Sequence, residues 1–308
     1  MSRPTENTKL FEHALNGLRR VKHQSINALL GAGFCAAQPQ IKLIIVGAQK
    51  GGTTALYNYL SEHPDIDVPE QKELNFFNSC EPKELTEAAY LRNFPKRFTW
   101  NTPFYSIDTS PSYLLDAEDV AERIHAFDPN VKIVAVLREP VSRAISSWFM
   151  YKKLASPNPD WFVQSGWVKS NVKKSVKRRK SFGENFADDI AEEIGVLLEG
   201  NRIEYPIVEY GLYAQQLKHF LNYFDTENIE VIFSDNLKEN TQSTLNLICE
   251  HSDMPAFELS HQKLIPHFVG DNKTVIAPEN LTQLKEYYRK ENQTLAELLG
   301  HPLPWSHI

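Results

Sequence analysis

IKLIIVGAQKGGTT, residues 41–54, sets the reading of the whole chain. Its first six residues are an apolar run, interrupted only by Lys42 and rich in β-branched side chains, the pattern of a buried parallel strand. Residues 47–52 follow as a glycine-rich turn, and residues 53–62 carry helical spacing through Leu56, Tyr57 and Leu60. Strand, phosphate-type loop and helix are therefore expected in that order. Further along, residues 116–127 read as a helix and 131–137 (VKIVAVL) as a strand ending at Arg138. Pro140 opens the next helix, because the missing N–H of proline costs nothing in a first turn. A helix at 210–224, a strand at 229–233 (IEVIF), and helices near 241–251 and 278–299 complete the pattern. Such alternation predicts an α/β fold, a central parallel sheet with helices on both faces. In these sheets ligands bind beyond the carboxyl ends of the strands, where both the 47–52 turn and Arg138 fall.

The 308 residues, 42% hydrophobic and 23% charged, suffice for a sizeable core, and no linker or repeat divides them. The expected organisation is a helical leader over 1–40 and one domain over 41–308. Within that domain, residues 151–206 form a divergent, acceptor-side insertion containing one helix near 185–199. A net charge of −6 argues against a general nucleic-acid partner. The basic cluster at 169–180 (KSNVKKSVKRRK) reads as a solvated loop, with attraction of an anionic acceptor or a membrane surface as the alternative. Cys35, Cys80 and Cys249 are widely spaced and suggest neither a zinc site nor a disulfide framework. No apolar run is long enough to span a bilayer, and a cytoplasmic location is expected.

The loop GAQKGGTT offers anion chemistry. Gly51 and Gly52 allow close backbone approach, and the amides of Gly52, Thr53 and Thr54 stand at a helix N-terminus that favours negative charge. The threonine hydroxyls add donors and Lys50 adds a full charge. The spacing is wrong for a nucleoside triphosphatase, because Lys50 precedes the two glycines instead of following them. Arg138 can fork onto a second phosphate, with Ser146 about two helical turns on. Two anion-binding elements at two strand ends suggest a ligand carrying phosphates at both ends.

Four segments occur in a telling order: KGGTTALYNYLSEHPDI (50–66), KELNFF (72–77), TSPSYL (109–114) and VLREPVSRAISSW (136–148). With LKEYYRKENQTLAELLG (284–300) and Trp305, this set resembles the PAPS-dependent sulfotransferases, above all the heparan-sulfate type and its bacterial relatives. The resemblance implies a P-loop-like sulfotransferase fold, PAPS as sulfate donor and PAP as product. It implies that Lys50 stands beside the bridging oxygen of the donor, with Gly51, Gly52, Thr53 and Thr54 around the same phosphate. Arg138 and Ser146 would hold the phosphate on the ribose, Lys273 would be a late cationic contact, and Glu73 would be the base. Thr109 stands where the resemblance places a lysine, and His63, in EHPD, takes a structural or capping role. No metal is demanded, since Lys50 and backbone amides can neutralise the leaving group. The expected acceptor is a hydroxyl on a carbohydrate or small metabolite; Trp161, Phe162 and Trp167 of the insertion read equally as a surface that stacks on a sugar, the lining of a hydrophobic slot, or core. A P-loop-type nucleotide kinase and a non-catalytic binder of anionic glycans are the competing readings.

Overall fold

A computed structural model describes residues 38–96, 104–156, 158, 176–179, 181–259 and 276–305. The central sheet has four parallel strands: β1 (Gln40–Gly47), β2 (Tyr105–Thr109), β3 (Lys132–Leu137) and, last in the chain, Ile229–Phe233. A separate two-stranded parallel pair, β4 (Val176–Lys177) and β5 (Arg202–Ile203), precedes the fourth, which is therefore β6. The central order is β2-β1-β3-β6. The chain leaves β1 for β2 on one side and returns to β3 on the other, so the carboxyl end of β1 is a topological switch point, where a crevice opens.

The α/β expectation holds, and alternation along the strands explains it. Leu43, Ile45, Ile107, Val134, Val136 and Ile232 are buried on one face. They pack against Leu56, Tyr59 and Leu60 of α1 (Thr53–Leu60), and against two later helices that supply Leu237, Leu245 and Ile248. Ile44, Val46, Ile133, Ala135, Leu137 and Phe233 face the other way. Short helices α2 (Phe76–Ser79), α3 (Glu87–Leu91) and α4 (Ser112–Leu115) cover this second face together with α5 (Ala117–Phe127). The long α6 (Pro140–Ala155) and α7 (Phe186–Leu198) enclose a third cluster around Trp148 and Tyr151. The chain then continues through α8 (Tyr213–Leu221), α9 (Ser234–Glu239), α10 (Thr241–His251) and α11 (Thr282–Leu299).

The expected helices at 210–224 and 278–299 begin later, each after a 3-10 turn (Glu209–Gly211 and Pro278–Leu281). Gly211 marks the reason in the first case: a Cβ there would stand 2.7 Å from Cζ of Tyr288 on α11, so the turn packs backbone against ring.

The basic cluster is corrected in part. Lys177 pairs with Glu199 and Arg178 with Glu204 (3.7 Å), but Arg179 is buried. Its guanidinium donates to the carbonyls of Glu204 (2.7 Å) and Asp189 (2.8 Å) and pairs with Glu193 (3.0 Å) and Glu192 (3.2 Å). A charge with that many partners is a structural bolt and not a solvated one. Residues 169–175, Lys180, Trp161, Phe162, Trp167 and nearly all of the expected leader lie outside the described residues. No described helix is long and apolar enough to cross a membrane.

Candidate functional site

After Gly47 the chain bends over the end of β3. The Ala48 amide donates to the Val136 carbonyl (2.8 Å), and the Gly51 amide closes the turn on the Ala48 carbonyl (2.9 Å). Ser234, opening α9, then ties the loop to the sheet: its hydroxyl donates to the carbonyl of Gly51 and lies 3.1 Å from that of Leu137. A Cβ on Gly51 would overlap the Val136 carbonyl oxygen and stand 2.9 Å from that of Ala48, so only glycine fits. Gly52, at φ 110, caps α1 from the left-handed region. The first amides of α1 have no acceptor within the helix, and its first turn holds no acidic residue to occupy them.

The neighbouring helix is built differently. Arg138 directly follows β3, and Glu139 caps α6 with its own carboxylate, accepting from Val141 N (2.9 Å) and Ser142 N (2.6 Å). The N-terminus of α6 is thus already supplied with an anion. Further on, α6 runs beside the loop. Ser147 donates to Gln49 Oε1 (2.8 Å), and Gln49 Nε2 donates to the Tyr151 hydroxyl (3.0 Å). Ser146, half-buried, is adjacent to this clamp. Lys50 and Arg138 therefore belong to segments stitched together at Val136, Leu137 and Gln49.

Their electrostatics agree with that placement. Burial, then repulsion from Arg138 and Arg143, holds the Lys50 ammonium below the ordinary lysine range, and the Glu73 carboxylate opposes the shift. Among the described residues none hydrogen-bonds or pairs with the side chain of Lys50 or Arg138. The arrangement is the carboxyl end of a parallel sheet with two cations, a row of helix-start amides and a nearby carboxylate. That combination suits a ligand with two separated phosphates.

Glu73 sits on the segment before α2, paired with Lys72 and 40% exposed. Lys50, Glu73 and Asn75 all have positive φ (66, 63 and 50°), a conformation that costs a non-glycine residue on the order of 1 kcal/mol or more. Neighbours hold the segment there. Asn75 N donates to Ser110 Oγ (3.1 Å), and Ser112 Oγ donates to Asn75 Oδ1 (2.6 Å). Asn78 Nδ2 reaches Ser112 Oγ (3.0 Å) and Asp116 Oδ2 (2.7 Å), while Phe76 and Phe77 are buried below.

Beneath these contacts Asp108 is wholly buried, accepting from Ser110 (2.7 Å), Tyr113 (2.9 Å) and Tyr90 (3.0 Å). Burial raises its carboxyl from an ordinary 3.8 to about 6, against the pull of those three hydroxyls and of Lys72. Between those values the folded protein holds a proton that the unfolded chain has lost. Stability from this group is therefore full below pH 3.8, falls as pH rises through 6, and is about 3 kcal/mol lower above it. Asp108→Asn is expected to remove that slope. Urea denaturation at pH 4 and pH 7 should show the variant gaining about 2 kcal/mol on the wild type across the interval. Parallel profiles would show that Asp108 is not the titrating group.

Several contributors carried no sequence signal: Gln49, Ser147, Tyr151 and Ser234 are common residue types whose pairing spans up to 183 positions. His63 is a structural residue. Its Nε2–H donates to the Pro255 carbonyl (2.7 Å), its Nδ1 accepts from Asp65 N (3.0 Å), and Phe257 meets its ring edge-on. Lys273 lies outside the described residues.

A family model described as "Sulfotransferase domain" matches residues 40–296. Heparan sulfate glucosamine 3-O-sulfotransferase 5 of Homo sapiens is 25% identical over 283 residues, covering 86% of this chain and 73% of that protein. The bifunctional heparan sulfate N-deacetylase/N-sulfotransferase of Drosophila melanogaster is 28% identical over 223 residues, which is 67% of this chain and 19% of that protein. Among solved structures, a sulfotransferase from Alicyclobacillus acidocaldarius superposes with a TM-score of 0.60 at 23% identity, over 87% of this chain and 98% of that one.

Proposed function

Because the chain belongs to the sulfotransferase domain family, we propose that it moves the sulfuryl group of PAPS onto an acceptor hydroxyl, with PAP as the other product. The observation that carries this reading is the joining of the Lys50 loop to the Arg138 segment at the ends of adjacent strands, with Glu73 in electrostatic range of Lys50. PAPS would supply an activated sulfuryl group on a good leaving phosphate. Lys50 and the amides of Gly52, Thr53 and Thr54 would hold that phosphate and stabilise the charge it gains as the S–O bond breaks. Arg138 and Ser146 would hold the ribose phosphate and set the donor's direction along the crevice. Glu73 would accept the proton of the attacking hydroxyl.

The names of the matched relatives specify heparan sulfate, and one specifies its glucosamine residue. That supports a carbohydrate hydroxyl as the acceptor. The half-exposed Glu73 is consistent with a bulky acceptor, because its carboxylate is reachable from outside.

The test has two arms. Calorimetry of the purified chain with PAP, in EDTA, should show binding that Lys50→Ala abolishes. Labelled PAPS with a panel of glycan and small-molecule alcohols should then identify the acceptor. Absence of PAP binding by the wild-type chain would end the reading, and magnesium-dependent binding of ATP in its place would favour a kinase.

A further inference from the structure

Arg143 lies on α6, five residues beyond Arg138, and is fully buried. Its Nη2 donates to the Ile207 carbonyl, while Nε and Nη1 are buried without any hydrogen-bond partner. Around it stand neutral groups. The Tyr210 ring lies 5.8 Å away, and Tyr151 on its own helix, Tyr213 on α8 and Tyr288 on α11 all interact with its charge. Burial opposes its charge, while Tyr288, Tyr213 and the Glu193 carboxylate of α7 favour it. That carboxylate is already engaged by Arg179 (3.0 Å) and by the amides of Ile207 (2.8 Å) and Glu209 (3.0 Å).

The other nearby carboxylates are committed as well, Glu73 to Lys72 and Glu139 to the start of α6. Arg138 and Arg143 both repel the Lys50 ammonium, and the Glu73 carboxylate only partly offsets them. A buried cation lacking a full set of partners costs the folded protein several kcal/mol unless something offsets it.

We infer that Arg143 is a positioning residue for the donor: a sealed cation whose charge, acting beside Lys50 without touching the ligand, adds to the field that the bound bisphosphate meets. Its unpartnered donors are closed off from solvent, so its influence on the ligand is through the field and not by contact. The inference rests on the PAPS reading and assigns that site a third charge.

Arg143→Gln and Arg143→Met test it. Each removes the charge and keeps most of the side-chain volume. PAP affinity at neutral pH should fall about tenfold in both. The ligand-free protein should melt at the same temperature as wild type or above it, since a well-packed apolar residue in place of a buried charge is often neutral or stabilising. A purely structural arginine would behave in the opposite way, with a lower melting temperature and unchanged PAP affinity. A second readout separates field from packing. Binding of PAP weakens at alkaline pH as Lys50 loses its proton, and removal of Arg143 relieves one of the repulsions that promote this loss. The alkaline limb should therefore move to higher pH in both variants, with Arg138 and Glu73, the other charges facing Lys50, left in place.

Wild-type binding with equal affinity in the variants, or variants that lose cooperative unfolding, overturns the role of Arg143 alone. Wild-type chain that takes up no PAP overturns the donor reading and this inference with it.

Discussion

Glutamine in place of Glu73 is expected to lower turnover by about 10²- to 10⁴-fold while PAP still binds with near wild-type affinity. The substitution is nearly isosteric, and glutamine meets the same backbone strain at φ 63°. It can also still accept from Lys72, the present partner of the carboxylate. What it cannot do is take a proton from an alcohol. The loss should therefore appear in kcat, with the donor site intact. Single-turnover measurement with labelled PAPS, beside calorimetry with PAP, separates the two quantities. A glutamine variant that turns over like wild type would move the base to another residue.

Alanine at position 51 is expected to act on the fold and the donor site together. Its methyl would collide with the Val136 carbonyl oxygen, which already accepts from Ala48 in the middle of the sheet. Neither atom can retreat cheaply: Val136 belongs to β3, held between β1 and β6, and Ser234 links the Gly51 carbonyl to β3 from above. The cost of such overpacking against backbone is about 3 kcal/mol. For a domain of this size that is a fall in melting temperature of about 6–12 °C. PAP binding should vanish, because the loop that relieves the clash is the loop that presents Lys50 and the amides of α1. Thermal scanning with and without PAP checks both halves. A variant with wild-type stability would mean that the loop yields more readily than its contacts imply.

Much of the architecture was legible in the chain because three strands announce themselves. IKLIIV and VKIVAVL are apolar enough to be buried on both faces, and they are, while IEVIF is buried only at Ile232 and Phe233. β2 was not legible as a strand. Its sequence, YSIDT, carries Ser106 and Asp108 into the interior, and nothing local reveals that Tyr90, Ser110 and Tyr113 will satisfy that carboxylate. The same limit applies to Arg179. In sequence it is one member of a basic run; in the fold it meets two glutamates and three carbonyls supplied by α7 and the turn after β5.

At the site, glycines and a lysine in one loop are a local signal, as is an arginine before a helix-opening proline. The left-handed backbone at Lys50 and Glu73 is not, since neither residue type favours it. Nor is the Gln49 clamp, whose partners arrive about a hundred positions later.

The carboxylate cap of Glu139 has an evolutionary consequence. With the start of α6 occupied from within, the proposed donor would be gripped on the Arg138 side through side chains and on the loop side largely through the peptide backbone. A peptide N–H survives almost any codon change, while a guanidinium or a hydroxyl is lost in a single one. Under the proposed function, drift in nucleotide preference would thus be channelled to one half of the crevice: descendants of this chain would retune what they accept at the ribose far more freely than at the group they transfer.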